Sequence, residues 1–588
     1  MSESPAGFDL NRWMAELAAM LTAGGVADAI LSPGSRSAPL TIALAAQPGL
    51  RCRVVYDERS AAYIALGLAQ QTGRPVALVC TSGTAALNYG PAVAEAFYQG
   101  VPLLVFTADR PPEWLDQQDN QAIHQRGLYE PHCRGSYELP VDLSHPDARW
   151  FARRVLSEAL ARAMDPLPGP VHINVPLREP LYPRTPSAVH PLGEAPRPTQ
   201  RLAAQPTLTD AAWERLTADW QQAQRKLVVA GLHPPDPALK AALSALSRRP
   251  DVAVVADVAA NLLPDATPLH HADLILHAGP DTLSRLAPDL VISFGGPVVS
   301  KSLKAFLRRT RPAALWHVLP AGDAPDTFQG LTHVVPMRPA EFFAGLLARI
   351  PSPALCDYAS LWRQAEAQAA AVLARCLRDG AFSELHAVHA VMARLPAHSR
   401  LQIGNSLAIR YANLIGHAGG GPLLSVNSNR GVSGIDGTVS TAVGAALADD
   451  RLTTLITGDL AFFYDRNGLW HPHLPSNLRI VVLNNHGGGI FDVLEGPDRL
   501  PQAVRETYFL TPQPLTAQRT AEDHGLAYHC AADAEGLEAA LRTFFDPALG
   551  PALLEVETDM AVNAQVLRSL VKAASAIVLE PGYAAAPA

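Results

Sequence analysis

The sequence predicts an α/β fold made of doubly wound parallel sheets. Short apolar runs rich in β-branched residues recur along the chain without polar alternation, which is typical of buried parallel strands. Each run ends in a polar loop, and helical periodicity follows most of these loops. Because the strands of such a sheet run in parallel, the loops after them meet at one edge, where open α/β sheets bind their ligands.

Length and composition describe a large globular protein. The 588 residues suffice for about three to four domains, and 48% of them are hydrophobic against 17% charged. The net charge of −8 argues against a general nucleic-acid surface, and no apolar run suits a signal peptide or a membrane span. Six scattered cysteines without a Cys-x-x-Cys pair argue against a zinc ribbon or a disulfide framework. We therefore expect a cytoplasmic protein that does not bind nucleic acid and has no membrane span.

The first predicted domain covers residues 1–185. It begins with a helix over Asn11–Leu21 that ends at two glycines. Its predicted strands are Val26–Leu31, Val54–Val55, Val76–Cys80, Leu103–Phe106 and Val171–Val175. The loops that follow the first four strands are Ser32–Pro39, Tyr56–Arg59, Thr81–Thr84 and Thr107–Pro112. The alternation of strand, polar loop and helix predicts one doubly wound sheet with these loops at one edge.

Side chains in these four loops each have two interpretations. Glu58 is either an acid favoured by the dipole at a helix start or a buried carboxylate that binds a ligand nitrogen. Ser82-Gly83-Thr84 is either an anion-binding helix start or an ordinary N-cap. Arg36 and Arg110 could be plain surface charges, but both lie at the loop edge of the predicted sheet.

The second predicted domain covers residues 186–350. A segment rich in proline and polar residues, 183–206, is interpreted as the linker that leads to it. Its strands are predicted at Leu227–Ala230, Val252–Val255, Leu290–Phe294 and Leu315–Val318. No Gly-x-Gly-x-x-Gly fingerprint is present, so the sequence does not support a nicotinamide or flavin nucleotide. Lys301 either reaches an anion from a loop or begins an exposed helix.

The third predicted domain covers residues 351–588. Its strands are predicted at Leu401–Gly404, Leu423–Val426, Leu452–Thr457, Arg479–Leu483 and Leu553–Val556. A glycine-rich turn, 429–437, leads into a helix of small residues, Thr438–Leu447, which we expect to pack closely against a cofactor.

Two strands of this domain end in a pattern of hard oxygen ligands. Gly458-Asp459-Leu460 follows one strand, and Asn484-Asn485-His486-Gly487-Gly488 follows the next. These residues could bind a Mg²⁺ ion through Asp459 and the side-chain carbonyl of Asn485, with diphosphate oxygens as its other ligands. The alternative is an ordinary strand-end turn, which Asp, Asn and Gly also favour.

The spacing of these two segments resembles the metal motif of thiamine-diphosphate-dependent enzymes. Residues 461–483 separate its halves, at the short edge of the family spacing, and Leu460 replaces the usual third glycine. The order of a glutamate, a central α/β unit and the metal motif is also that of the family. The resemblance implies three parallel-sheet domains of the thiamine-diphosphate-binding type: a pyrimidine-binding domain (1–185), a central domain (186–350) and a diphosphate- and metal-binding domain (351–588).

Further segments are similar to one branch of that family, the menaquinone-pathway synthases of 2-succinyl-5-enolpyruvyl-6-hydroxy-3-cyclohexene-1-carboxylate. These segments are Ser32–Thr41, Thr107–Glu113, Asn120–Ile123, Gly404–Ser406 with Arg410, Ser428–Gly437 and Asn484–Phe491. The resemblance implies decarboxylation of 2-oxoglutarate and 1,4-addition of the resulting four-carbon carbanion to isochorismate. Because each substrate carries two carboxylates, the site needs fixed cations, and guanidinium groups suit that need.

The resemblance also implies a role for individual residues. It implies that Glu58 is catalytic and that the thiamine diphosphate is bound by Glu58, Ser82, Gly83, Ile435, Gly458, Asp459, Leu460 and Asn485. Mg²⁺ or Mn²⁺ is assigned to Asp459, Asn485 and the Gly487 carbonyl. The donor substrate is assigned to Ser406, Arg410 and Arg430, and the acceptor to Ser35, Arg36, Arg110, Asn120, Gln121 and Lys301. Ile490 and Phe491 are implied as apolar walls that protect the carbanion from water.

Two further implications concern assembly and substrate affinity. Since Glu58 and the metal motif lie in different domains, the resemblance implies a homodimer or homotetramer with active sites between subunits. Some relatives carry arginine directly after the matching lysine, whereas this chain has Ser302. Either the acceptor binds less tightly here, or another cation takes that role.

Two rival functions are weighed against this one. The first is another thiamine-diphosphate enzyme, such as an acetohydroxyacid synthase or a 2-oxo acid decarboxylase, which would not require so many arginines on the loops. The second is a binding module without catalysis, which would need the metal motif but not Glu58.

Overall fold

A computed structural model describes residues 9–182, 198–199, 201–202, 204–353, 356–494 and 496–580. Most of the predicted linker, 183–206, lies outside these residues. The predicted domain boundaries at 185/186 and 350/351 remain predictions. The chain divides into two compact units. The first unit contains Met1–Ala203, Asn429–Asp450 and Tyr464–Leu478, and the second contains Ala204–Ser428, Arg451–Phe463 and Arg479–Ala588.

The first sheet lies in the first unit and has six strands in the order β2-β1-β3-β4-β6-β5. Its strands are β1 (Asp28–Leu31), β2 (Arg51–Val54), β3 (Val76–Cys80), β4 (Leu103–Asp109), β5 (Gly135–Glu138) and β6 (Val171–Pro176). All pairings are parallel. All residues of β3 and β4 are buried, as expected of central parallel strands covered on both faces.

The second sheet lies in the second unit and has five strands in the order β11-β10-β9-β7-β8. Its strands are β7 (Lys226–Ala230), β8 (Val252–Ala256), β9 (Leu290–Phe294), β10 (Ala314–Val318) and β11 (His333–Val335). These pairings are also parallel. The four predicted strands of the central domain are confirmed, and β11 adds a short edge strand.

The third sheet has six strands in the order β13-β12-β14-β15-β17-β16. Its strands are β12 (Arg400–Ile403), β13 (Ser425–Asn427), β14 (Thr453–Gly458), β15 (Leu478–Asn484), β16 (Ala527–Ala531) and β17 (Ala552–Glu557). The pairings are parallel here too. Three doubly wound parallel sheets with helices on both faces confirm the predicted fold class.

Helices connect the strands and cover the sheets. Those of the first unit are Leu10–Ala23, Ala38–Ala46, Glu58–Thr72, Thr84–Asn88, Gly90–Gln99, Pro146–Met164 and Thr438–Ala446. Those of the second unit are Asp210–Gln222, Pro237–Ser247, Ala272–Ile275, Pro280–Arg285, Lys301–Thr310, Pro339–Leu347, Tyr358–Asp379, Glu384–Arg394, Leu407–Ile415, Gln502–Arg505, Gln518–Asp523, Ala534–Phe544 and Met560–Ala574. The short helix Asp459–Tyr464 begins in the second unit. Among the residues with described structure, no helix has the length and apolar character of a membrane span.

Candidate active site

The strand order of the first sheet creates a crevice between β1 and β3. These two strands are neighbours, and the chain leaves them toward opposite sides of the sheet, which makes the loops after them a topological switch point. The loops touch, since the Arg36 backbone N–H donates to the Thr81 hydroxyl over 3.3 Å. The predicted residues Ser35 and Arg36 lie in the first loop, and Ser82 and Gly83 lie in the second.

The third sheet repeats this arrangement between β12 and β14. The two strands are neighbours while β13 and β15 lie outside them, so their carboxyl ends form a second switch point. The Gly404 N–H donates to the Ile456 carbonyl over 2.7 Å, which holds the strand ends together. Ser406 follows β12, and Asp459 follows β14 directly. The sequence-predicted cofactor residues therefore occupy the ligand-binding edge of each sheet.

Glu58 is the first residue of helix Glu58–Thr72, directly after the N-cap Asp57. The Asp57 carboxylate accepts from the Ser60 N–H over 3.1 Å, so the capping role belongs to Asp57 and leaves the Glu58 side chain available. Glu58 is half-buried, and burial raises the pKa of its carboxyl, against the lowering effect of its own backbone N–H and of Asn88. A carboxyl of this kind keeps a proton to higher pH than an exposed glutamate does.

The loop after β3 presents Ser82 and Gly83 in an unusual conformation. Gly83 has φ +84°, a backbone region that residues with a Cβ avoid, and Ser82 is buried. The Gly83 N–H donates to the side-chain oxygen of Gln125 over 2.8 Å. A Cβ at Gly83 would lie 3.2 Å from the backbone of Gln121, so two predicted site residues are neighbours here.

Two of the three cations predicted to bind the acceptor, Arg36 and Arg110, lie close together in the first unit. Arg36 is buried and donates to the Leu177 carbonyl over 3.0 Å, with Glu179 at 3.4 Å. Burial and the nearby charge of Arg110 lower the pKa of Arg36. Arg110 itself donates to the Asn120 carbonyl over 2.6 Å.

The periphery of this cluster is more exposed. Arg110 also pairs with Asp119 at 2.9 Å. The hydroxyl of the exposed Ser35 lies 3.3 Å from that of Tyr182. Asn120 and Gln121 are exposed, and Gln121 has φ +52°. Two adjacent guanidinium groups with neutral donors around them form a surface that suits a dicarboxylate.

The glycine-rich turn with Arg430 and Ile435 also belongs to the first unit. Its backbone is held by Glu95, whose carboxylate accepts from the Gly431 N–H over 2.6 Å and from the Val432 N–H over 2.7 Å. Burial raises the pKa of Glu95, and these hydrogen bonds lower it. Both Arg430 and Ile435 are half-buried. The turn is thus fixed by a buried carboxylate from a distant helix.

The small-residue helix after this turn packs closely against protein, and the contact with a cofactor that we expected of it stays a prediction. Within the first unit, helix Thr438–Ala446 lies along helix Glu58–Thr72. A Cβ at Gly67 would overlap the Thr441 carbonyl oxygen, and one at Gly444 would overlap that of Ile64. Small residues are used because the two helix backbones approach closely.

Asp459 begins the helix after β14 and is 2% exposed. Gln513 donates to its carboxylate over 2.8 Å, and the backbone N–H groups of Leu460 and Gly487 also contribute. Burial raises the pKa of Asp459, while these donors lower it. The contact with Gly487 brings together the two halves of the predicted metal motif.

Asn485 follows β15 and is 8% exposed. Its side-chain NH₂ group donates to the Glu384 carboxylate over 2.6 Å, and its side-chain oxygen accepts from the Gly487 N–H over 3.1 Å. His486 has φ +59° and donates its backbone N–H to the Asn484 side chain over 3.1 Å. This turn therefore has a defined shape that aims the Asn485 amide oxygen toward Gly487.

The remaining predicted residues of the second unit lie at loop or helix ends. Ser406 has φ +72° and caps helix Leu407–Ile415, where Arg410 donates to the Ser406 carbonyl. Ile490 and Phe491 lie in the 3₁₀ helix Gly489–Asp492; Ile490 packs on the core, and Phe491 contacts Phe509 edge-on. Lys301 is exposed at the start of helix Lys301–Thr310.

The structure thus collects the predicted residues into two groups. The first unit holds Ser35, Arg36, Glu58, Ser82, Gly83, Arg110, Asn120, Gln121, Arg430 and Ile435. The second unit holds Lys301, Ser406, Arg410, Gly458, Asp459, Leu460, Asn485, Gly487, Ile490 and Phe491. Within each unit, residues far apart in sequence meet at a sheet edge.

Four polar residues that the sequence does not single out hold the predicted residues, or the turn beside them, in place. They are Glu95, Gln125, Glu384 and Gln513. Glu384 has the sequence signal of an ordinary acid at a helix start, after Ser383, and the other three carry no local signal. Their role depends on contacts with distant segments, which periodicity does not reveal.

Comparisons with known proteins agree with this geometry. Residues 12–128 match the family model described as thiamine pyrophosphate enzyme, N-terminal TPP binding domain, and residues 193–403 match the middle domain of thiamine pyrophosphate enzymes. Relatives named 2-succinyl-5-enolpyruvyl-6-hydroxy-3-cyclohexene-1-carboxylate synthase include proteins of three bacteria. The Cytophaga hutchinsonii protein is 41% identical over 93% of this chain and 96% of its own length. The Porphyromonas gingivalis protein is 40% identical (93% and 94%), and the Desulfotalea psychrophila protein 38% (93% and 98%).

Proposed function

This chain belongs to the family of 2-succinyl-5-enolpyruvyl-6-hydroxy-3-cyclohexene-1-carboxylate synthases, and we propose on that premise which of its residues bind the cofactor and the substrates. The resemblance stated from the sequence is confirmed. The enzyme carries out the thiamine-diphosphate-dependent decarboxylation of 2-oxoglutarate and the 1,4-addition of the succinyl semialdehyde unit to isochorismate, a step of menaquinone biosynthesis. The observation that carries this conclusion is the similarity to these synthases over 93% of the chain.

The donor set at the end of the third sheet fits a divalent cation bound together with a diphosphate. Asp459 offers a buried carboxylate, Asn485 an amide oxygen and Gly487 a backbone carbonyl, all hard oxygen donors. In the described part of the chain, no group of three or more His, Cys, Asp or Glu could hold a metal ion. A single carboxylate with two neutral oxygens therefore fits a cation that takes its other ligands from the diphosphate. We assign Mg²⁺ or Mn²⁺ to these three residues.

Glu58 is proposed as the residue that activates the cofactor. When bound, thiamine diphosphate supplies the carbon nucleophile that attacks the 2-oxo acid. Glu58 holds a proton on its carboxyl oxygen and shares it with the aminopyrimidine ring nitrogen, and its raised pKa keeps that proton available. We assign to Ile435 an apolar contact with the cofactor, and we assign Ser82, Gly83, Gly458 and Leu460 to the rest of the cofactor site.

The arginines are proposed to bind the substrate carboxylates. Arg410 and Arg430, with Ser406, take the distal carboxylate of 2-oxoglutarate. Arg36 and Arg110, with Ser35, Asn120, Gln121 and Lys301, take isochorismate. The proximity of Arg36 and Arg110 supports this, because two neighbouring guanidinium groups can bind the carboxylates of one dianion. Ile490 and Phe491 supply the apolar wall that excludes water beside the reacting carbon.

We propose that each site combines Glu58 of one subunit with the metal-binding residues of another, in a dimer or a pair of dimers. Exposed aromatic rings in the Glu58 unit support an interface there. Tyr56 is 40% exposed and lies 5.2 Å from the ring of Trp470, which is 54% exposed. Arg59 stacks on Tyr464, which is also 54% exposed. Large exposed aromatics next to a functional residue are typical of a surface that a partner covers.

The proposed function is tested by supplying the enzyme with thiamine diphosphate, Mg²⁺ and its two substrates. We expect isochorismate to disappear with one CO₂ released from 2-oxoglutarate for each molecule consumed. Pyruvate in place of 2-oxoglutarate serves as the control for an acetohydroxyacid synthase or a 2-oxo acid decarboxylase. Turnover of pyruvate without turnover of 2-oxoglutarate would contradict the proposal.

A further inference from the structure

Glu384 carries a buried carboxyl group next to the predicted metal ligand Asn485, and the proposed function gives it no role. It is the first residue of helix Glu384–Arg394, where an acid is usually exposed and interacts with the helix dipole. Here the side chain is 2% exposed instead. Its backbone N–H donates to the side-chain oxygen of Asn563 over 2.9 Å, which fixes the helix start in place. The position is therefore rigid, and the carboxyl group points into the protein.

The partner of this carboxyl group is the amide of Asn485. The distance from the Asn485 nitrogen to the Glu384 oxygen is 2.6 Å. An asparagine side chain can turn either its oxygen or its NH₂ group toward a ligand, and its neighbours decide which. The Glu384 oxygen accepts this hydrogen bond, so it keeps the NH₂ group on its own side. The oxygen then faces the opposite side, where the Gly487 N–H lies 3.1 Å away.

The surroundings of Glu384 are consistent with a role near the cation. The charge of Asp459 acts on the Glu384 carboxyl, and Asn485 donates to it, so Glu384 lies near both halves of the predicted metal motif. Burying a carboxyl group costs free energy unless hydrogen bonds or an opposite charge compensate for the lost water.

We propose that Glu384 is a positioning residue for the metal site, which orients the Asn485 amide so that its oxygen, and not its nitrogen, faces the cation. This inference rests on the proposed function, because the cation is part of the cofactor site. The effect acts through Asn485: an amide free to turn would present its NH₂ group part of the time, and an NH₂ group cannot bind Mg²⁺.

Two mild substitutions separate the position of the acceptor oxygen from the presence of a carboxyl group. Glu384→Gln keeps an acceptor oxygen at the same reach and removes the carboxyl group, while Glu384→Asp keeps the carboxyl group and withdraws the acceptor by one methylene. The readout is the affinity for Mn²⁺ in the presence of thiamine diphosphate, measured by calorimetry and by the electron paramagnetic resonance of free Mn²⁺. We expect Glu384→Asp to weaken Mn²⁺ binding roughly 10- to 100-fold and Glu384→Gln to stay within about threefold of the unmodified enzyme.

The control is Glu366→Asp, which shortens another carboxylate of the second unit, one that binds His271 at 2.6 Å. It should leave Mn²⁺ affinity unchanged. Equal affinity in Glu384→Asp and the unmodified enzyme would overturn the inference, and so would a loss in Glu384→Gln as large as that in Glu384→Asp. If the unmodified enzyme itself binds no Mn²⁺ with thiamine diphosphate, the proposed cofactor site fails as well, and the two failures are thereby distinguished.

Discussion

The two ends of the proposed site differ in how firmly the chain holds them. Asp459 and Asn485 are buried, and each has close side-chain partners, Gln513 at 2.8 Å and Glu384 at 2.6 Å. Glu58 is half-buried, and its side-chain neighbour Asn88 is itself exposed. The fold thus holds the metal-binding end, Asp459 and Asn485, in shape before any ligand binds. The proton-sharing end, Glu58, is still partly exposed, and the cofactor would cover it.

This difference follows from what each group has to do. A metal ligand gains from a fixed geometry, because every misplaced oxygen costs affinity. An acid that shares a proton gains from desolvation, which the cofactor supplies when it covers the carboxyl group. Substitutions of the metal ligands should therefore weaken metal and cofactor binding, whereas substitution of Glu58 should lower turnover.

The largest effect on turnover is expected at Glu58. Glu58→Gln should lower kcat roughly 100- to 10,000-fold, because the amide cannot share a proton with the aminopyrimidine, while thiamine diphosphate affinity changes little. Steady-state kinetics and calorimetric cofactor binding measure the two quantities. The matched control is Glu535→Gln, an exposed acid in the first turn of helix Ala534–Phe544. If Glu58→Gln resembles the control, Glu58 is only a helix-start acid.

A smaller effect on turnover is expected at Arg410, which is proposed to bind the substrate and not the cofactor. Arg410→Ala should cost about 3 kcal/mol in kcat/KM for 2-oxoglutarate, because a carboxylate loses its charged partner, and should leave cofactor affinity near normal. The control is Arg394→Ala, an arginine in the last turn of helix Glu384–Arg394 that pairs with Glu538. Equal losses of cofactor and substrate affinity would mean that Arg410 supports the fold instead.

A still smaller effect is expected at Lys301 and Ser302, where the cation is exposed. Lys301→Ala should raise the KM for isochorismate about fivefold, since an exposed charge pair contributes about 1 kcal/mol. Ser302→Arg, which adds the cation that some relatives have, should lower that KM. Ser302 lies in the first turn of helix Lys301–Thr310, with its hydroxyl 3.3 Å from a ring nitrogen of His277. An unchanged KM in both variants would remove this helix from the acceptor site.

The smallest effect on turnover is expected at Asp465, which acts on stability. It is buried, and burial raises its pKa to about 7, against the lowering effect of hydrogen bonds from Ser440. The folded state therefore holds this proton more tightly than the unfolded state, so the contribution is full below about pH 4 and is lost as pH rises to 7. Asp465→Asn should flatten this part of the Tm–pH profile, and the exposed Asp450→Asn should not. An unaltered profile in Asp465→Asn would contradict the assignment.

The sequence predicted the sheets well because their signal is local. Buried parallel strands such as Val76–Cys80 are continuous apolar runs between turn residues, and the structure has this strand with the same bounds. Once the strands are predicted, the loops at their carboxyl ends are predicted as well. Asp459 and Asn485 could therefore be identified from the sequence, because they lie at the strand ends where such sheets bind ligands.

The partners of these residues could not be predicted, because they come from distant segments. Glu384 lies 101 positions from Asn485, and Glu95 lies 336 positions from Gly431. A buried carboxyl group at a helix start looks the same in sequence as an exposed one. The partner of the small-residue helix Thr438–Ala446 was not predicted for a similar reason, since small residues fit a helix backbone as well as a cofactor.

The central claim is that the open end and the preformed end of one site come from different subunits. It is tested most directly by co-expressing chains with Glu58→Gln and chains with Asp459→Ala, each inactive alone, and measuring isochorismate consumption. In a dimer with shared sites, half of the assemblies are hybrids with one intact site, so about a quarter of full activity should return. Activity no greater than the sum of the two separate variants would contradict the account.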